Sequence, residues 1–156
     1  MPEYIKSLHF GGYGGTLSDS SDTTHREGPA FDTINSLSIY YRSEDKCPCG
    51  IMVDFETGDP FVAGLQQDKP SKMVRLKPGV IIEKVIGQLD VTKGIYGVVS
   101  YLKFTFSGEK APEPMEIGEA LTSRPMVTLA AKLKPNGFYS SFSSHMDSIS
   151  IWHQPE

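Results

Sequence analysis

The chain of 156 residues lacks clusters of basic residues and any long apolar run, and it contains very little cysteine. Its 15 lysines and arginines are scattered among 19 aspartates and glutamates, which leaves a net charge of −4. Because nucleic acids bind to concentrated basic surfaces, we expect no nucleic-acid partner. No segment reaches the length of a membrane span, and the opening MPEYIKSLHFGG has no apolar core of signal-peptide length. We therefore expect no membrane insertion, and a protein that is cytoplasmic or secreted without a conventional signal.

The two cysteines, Cys47 and Cys49, are separated only by Pro48. This spacing is too short for an unstrained disulfide, and no second cysteine pair is present to complete a zinc site. The sequence predicts a reducing compartment and two bystander thiols in a loop, with no metal or other cofactor. A metal or redox role for the thiols is the alternative.

Apolar residues recur with a period of two, which indicates half-buried strands. Turn signals rich in glycine and proline separate these stretches. Because residues 111–124 contain several prolines and no amphipathic helix is evident, we interpret that segment as a long connection. The pattern predicts an all-β sandwich, barrel or prism, with residues 1–156 forming one domain. The alternating stretches are 37–41, 51–55, 102–106 and 149–151, and the turn signals are 57–60, 77–79, 93–94, 107–108 and 134–137.

The sequence GGYGG at residues 11–15 places four glycines around Tyr13. Neither a P-loop nor a dinucleotide fingerprint fits, because no helix follows and the Lys-Ser/Thr pair of a P-loop is absent. Two interpretations remain. The glycines form a turn where strands cross closely, or their bare backbone lets N–H groups reach a ligand.

Residues 11–19 (GGYGGTLSD) and 137–152 (GFYSSFSSHMDSISIW) together resemble the jacalin-related lectins of the mannose/glucose-binding type. The stretches 34–41, 77–87 and 99–104 match further landmarks of that family in order. The resemblance implies a jacalin-like β-prism, in which three four-stranded antiparallel sheets surround a pseudo-threefold axis. It also implies a metal-independent, non-enzymatic lectin whose partners are glycans or glycoproteins.

The same resemblance implies one sugar site. Backbone N–H groups of Gly15, Ser144 and His145 would donate to sugar hydroxyls, and the carboxylate of Asp147 would accept two of them. An ionised carboxylate is suited to this role because it accepts several charge-assisted hydrogen bonds. The supporting residues of the glycine loop and of the C-terminal loop are Gly14, Ser143 and Met146.

The chain departs from the family where Ser140 and Ser143 replace glycines, and a positive φ at residue 143 would strain a serine. Galactose-binding members are cleaved near the glycine loop, whereas here residues 1–10 run unbroken into it, which favours mannose or glucose. A second site would need glycine and aspartate within residues 43–49 at the family's spacing, and these are absent. One weak site per chain predicts a homodimer or higher homo-oligomer.

Alternatives remain for individual residues and for the whole chain. Asp147 could be a strand-entry residue bonded to its own backbone, and the His145 side chain could either contact the sugar or face solvent. Tyr13 is expected to pack, and Trp152 to lie in the core. An enzyme would use His145 and Asp147, on one face of a strand, as an acid/base pair. A β-prism interaction or oligomerisation module that has lost sugar binding is the second alternative.

Overall fold

The computed structural model describes residues 4–7, 9–12, 14–24, 26–93 and 97–154. Within these ranges the chain is built from thirteen β-strands, and none of it forms a helix that could span a membrane. The strands are β1 (Ile5–Lys6), β2 (Phe10–Gly11), β3 (Thr16–Asp19), β4 (Ile34–Tyr41), β5 (Pro48–Phe55), β6 (Phe61–Gly64), β7 (Ser71–Arg75), β8 (Ile81–Asp90), β9 (Val98–Ser107), β10 (Met115–Gly118), β11 (Val127–Leu133), β12 (Pro135–Phe142) and β13 (Met146–His153).

The strands form three antiparallel sheets, as the resemblance to jacalin-related lectins implies. Sheet I has the order β1-β13-β12-β3, and β2 also pairs with β13. Sheet II has the order β6-β5-β4-β7, and sheet III the order β10-β9-β8-β11. Sheet I has five strands where four are expected, because two short N-terminal strands both pair with β13. Sheets II and III each come from one continuous part of the chain, whereas sheet I joins its two ends.

The inward faces of the three sheets share one hydrophobic core. Leu37 and Ile39 of β4 are fully buried, as are Ile149 and Ile151 of β13. These are the residues that the alternation of apolar and polar side chains places inward, so the predicted strands are confirmed. Burying such a side chain contributes about 1.5–3 kcal/mol relative to leaving it exposed.

Two segments differ from the sequence-based expectation. The predicted connection 111–124 contains strand β10, which pairs with β9 from Met115↔Phe104 to Gly118↔Tyr101. Four residues that follow a proline are too few to show a period of two. The predicted turn at 134–137 is mostly strand, because the chain crosses from sheet III to sheet I at Lys134 and β12 begins at the next residue.

Three further predictions concern single residues. Trp152 is only half-buried, and its indole N–H donates to Asp19 Oδ1 at 2.9 Å, so its assignment to the core is wrong. Cys49 lies within β5 and not in a loop. Tyr13 and the turn residue Gly94 lie outside the described residues.

Candidate functional site

A β-bulge in sheet I sets the position of Asp147. Strands β12 and β13 pair at Ser141↔Ser148 and at Phe142↔Met146, which leaves Asp147 as the extra residue of β13. A bulge breaks the alternation of side chains and redirects the extra one. The connecting loop, residues 143–145, is closed by a hydrogen bond from the Ser143 N–H to the His145 carbonyl at 2.9 Å.

The Asp147 carboxylate lies against Gly15. Asp147 is 3% exposed, and its Oδ2 is buried without a hydrogen-bond partner. Gly15 has φ +81°, and a Cβ at that position would lie 2.5 Å from Asp147 Oδ2 and 2.6 Å from the Phe142 carbonyl oxygen. Any other residue would therefore be strained and would clash. The structure thus brings together two residues that lie at opposite ends of the sequence.

The first glycine pair packs on the backbone of the same aspartate. The Gly12 N–H donates to the Asp147 carbonyl oxygen at 2.9 Å. Gly11 has φ +125° and pairs with Ser148, and a Cβ on it would collide with the Asp147 carbonyl. The resemblance singled out Gly14 and Gly15 and missed this role of Gly11 and Gly12. Gly11, Gly12 and Gly15 therefore all lie against Asp147.

The two serines that replace family glycines are accommodated without strain. Ser143 is exposed and does not have a positive φ. Ser140 is fully buried, and its hydroxyl donates to the Ser148 carbonyl oxygen at 2.6 Å. Ser144 and His145 follow in the loop, and Met146 is buried where β13 begins. The expected strain at residue 143 is therefore absent.

The His145 side chain is held by a loop of another sheet. Its Nε2 lies 2.7 Å from Asp45 Oδ2, and Lys93 Nζ lies 2.9 Å from the same oxygen. Partial burial raises the pKa of the Asp45 carboxyl, but hydrogen bonds from His145 and Lys93 outweigh this effect and hold the pKa well below its usual range. Arg42 Nη1 also donates to the Ser144 carbonyl oxygen at 3.1 Å. His145 is thus engaged with Asp45, and it forms no acid/base pair with Asp147, which lies against Gly15.

No protein-family model matches the chain, and no curated protein matches it in sequence. Solved structures do match it. Artocarpin, a lectin with mannose specificity, has a TM-score of 0.72 at 20% identity over all of both chains. Wild-type Malaysian banana lectin has a TM-score of 0.71 at 18% identity, covering 99% of this chain and 100% of the lectin. A mannose-binding jacalin-related lectin from Ananas comosus has a TM-score of 0.65 at 20% identity, covering 98% of this chain and 99% of that one.

The fold is the jacalin-like β-prism. Its prediction from the sequence is confirmed by the three sheets and by these neighbours. In this β-prism one segment from each sheet meets at the same end: residues 42–47 of sheet II, residues 91–93 after β8 in sheet III, and residues 143–145 of sheet I.

We call the residues at this meeting point the Asp45 cluster, and they are Asp45, Cys47, Lys93 and His145. Cys47 is buried and free, and its Sγ lies 3.8 Å from Lys93 Nζ. Burial, together with the charge of Asp45, raises the pKa of the Cys47 thiol to about 11. No local sequence pattern indicates this cluster, since its members lie up to 100 residues apart.

A cavity of about 360 Å³ lies beside the glycine loop of the β-prism. The residues that line it include Gly14, Gly15, Tyr139 and Lys6. Lys6 Nζ lies 3.7 Å from the centroid of the Tyr139 ring, a cation–π contact. Gly15 therefore borders both this cavity and the Asp147 carboxylate.

Proposed function

We propose that this protein is a metal-independent lectin that binds mannose- or glucose-type glycans at one site per chain. The Asp147 carboxylate accepts sugar hydroxyls, and the backbone N–H groups of Gly15, Ser144 and His145 donate to them. The observation that carries the proposal is the buried Asp147 Oδ2, which has no hydrogen-bond partner and lies against a glycine with positive φ.

The chemistry of this arrangement suits a pyranose. A buried carboxylate oxygen without a partner costs free energy, and a hydroxyl that donates to it recovers that cost. Adjacent sugar hydroxyls each donate and accept, so they match a carboxylate flanked by N–H donors. Neighbours of the same fold are named for mannose binding or mannose specificity, which supports this class of sugar.

The test is titration of the Asp147→Asn variant with mannose, glucose and galactose. Asparagine replaces a charged acceptor with a neutral amide and places an N–H₂ donor beside a donating hydroxyl. We expect mannose affinity to fall by roughly 2 kcal/mol or more, at least tenfold, with the fold intact. Mannose binding at wild-type strength by a folded variant would remove Asp147 from the site.

Asp147 is deeply buried, and a buried carboxylate is less accessible to a sugar. This observation favours one other function, a β-prism interaction or oligomerisation module without sugar binding. A glycan array separates the two. The lectin binds mannose-containing glycans on the array, whereas the module binds none and a catalyst would alter its ligand.

A further inference from the structure

Three members of the Asp45 cluster carry donor atoms that bind metals. The carboxylate of Asp45, the thiol of Cys47 and the imidazole of His145 offer oxygen, sulfur and nitrogen atoms that all lie within 4.8 Å of one another. We propose that these three side chains bind one zinc ion. The zinc site uses the side chain of His145, whereas the proposed sugar site uses only its backbone N–H, so the zinc proposal does not depend on the proposed function.

The donor set selects the metal. Zinc takes cysteine sulfur, histidine nitrogen and carboxylate oxygen in tetrahedral sites, and three protein ligands leave a fourth position for water. Calcium and magnesium require ligand sets built from oxygen, which this cluster does not supply. Thiolate sulfur and imidazole nitrogen are softer ligands than oxygen, and they favour zinc over calcium and magnesium.

Lys93 already brings positive charge to this position. Its ammonium lies 2.9 Å from Asp45 Oδ2 and 3.8 Å from Cys47 Sγ, so it competes with a metal ion for both groups. Lys93 has a second partner, because Asp90 Oδ2 lies 3.9 Å from its Nζ. When zinc binds, the Cys47 thiol releases its proton to solvent, and the ammonium moves toward Asp90.

The proposed ligands come from two sheets, and this determines the structural effect of a bound ion. Asp45 and Cys47 belong to the loop before β5 in sheet II, whereas His145 belongs to the loop before β13 in sheet I. A bound zinc ion therefore cross-links the two sheets at the end of the prism. From the sequence alone, the lack of a second cysteine pair argues against a zinc site, because the His145 ligand is distant in sequence from Cys47.

The experiment uses reduced, tag-free protein stripped of metal and titrated separately with Zn²⁺ and Co²⁺. We expect one equivalent of either metal to bind, a thiolate-to-cobalt charge-transfer band in the near ultraviolet, and a rise in melting temperature with zinc. Cys47→Ser and His145→Ala each remove a direct ligand. We expect each to weaken zinc binding by more than the roughly 10–100-fold that loss of an outer-shell partner costs.

Two further variants make the test specific. Cys49→Ser is the matched control, because the Cys49 thiol is also buried but contacts the Leu65 carbonyl, and it should keep the cobalt band. Lys93→Met removes the competing ammonium and should tighten zinc binding roughly fivefold or more. The proposal is overturned if wild-type protein shows no thiolate–cobalt band. It is also overturned if Cys47→Ser binds zinc like wild type, or if Lys93→Met does not bind it more tightly.

Discussion

Gly15 occupies a backbone conformation and a space that only glycine fits. Its φ of +81° lies in the left-handed region, and the place of its missing Cβ is taken by Asp147 Oδ2 and the Phe142 carbonyl. Gly79 has nearly the same backbone conformation, with φ +89°, yet nothing lies within 4 Å of the place its Cβ would take. A comparison of substitutions at Gly15 and Gly79 therefore separates the effect of backbone strain from the effect of steric exclusion.

We expect Gly15→Ala to destabilise the protein and to abolish measurable mannose binding, because the new methyl group displaces the Asp147 carboxylate. Gly79→Ala should cost only the roughly 1–2 kcal/mol of a left-handed alanine and should leave mannose binding unchanged. Denaturant unfolding and mannose titration of both variants check this. Equal mannose affinity in the two variants would contradict the proposed contact.

At the scale of the element, the β12–β13 loop is anchored by charged groups of another sheet. The Asp45 carboxylate accepts a hydrogen bond from the His145 imidazole, and the Arg42 guanidinium donates one to the Ser144 carbonyl oxygen. Glu44 lies in the same loop as Asp45, but it is exposed and pairs only with Arg42 at 3.4 Å among its described contacts. Fixing a loop before the ligand arrives lowers the entropic cost of binding.

We expect Asp45→Asn to loosen residues 143–145 and to weaken mannose binding several-fold, since a charged hydrogen bond contributes about 1.5–3 kcal/mol. Glu44→Gln removes the same charge from the same loop without touching His145, and it should bind mannose like wild type. Hydrogen–deuterium exchange of the loop amides and mannose titration measure both effects. Unchanged exchange in Asp45→Asn would show that the contact does not anchor the loop.

The strands and the candidate site were predictable to different degrees. Period-two alternation identified β4 and β13, because apolar and polar residues alternate within each of these eight-residue strands. It missed β10, which has only four residues. Gly15 and Asp147 followed from a resemblance in local sequence. The Asp45–His145 contact joins residues 100 apart, and no local pattern predicts such a pairing.

For the whole molecule, the proposed sugar site consists of protein groups alone. Mannose binding should therefore persist in excess EDTA, because Lys93 and His145 hold Asp45 without a metal. Titration with mannose before and after chelation checks this expectation. Loss of binding that calcium restores would contradict the proposed site, since calcium needs six or more oxygen ligands.

The expected affinity leads to a prediction about assembly. Three hydrogen bonds of about 0.5–1.5 kcal/mol each and two to the charged Asp147 carboxylate of about 1.5–3 kcal/mol each, against an association cost of at least about 4 kcal/mol, leave a surplus of a few kcal/mol. We therefore expect roughly millimolar affinity for one mannose. We therefore propose that the protein self-associates, as a symmetric dimer, to gain avidity. Sedimentation and titration with mannose and a branched mannose glycan check both points. A strict monomer with nanomolar affinity for free mannose would contradict them.

The strands that make up sheet I determine when the proposed sugar site can form during synthesis. Sheets II and III each use one continuous stretch, residues 34–75 and 81–133, and can assemble as those stretches leave the ribosome. Sheet I needs β13, the partner of strands from both ends of the chain. A nascent chain that stops before residue 135 can therefore form two sheets but not the proposed sugar site. The glycine loop is translated before the strands of sheets II and III, yet its contacts with β13 can form only after both of those sheets have been translated.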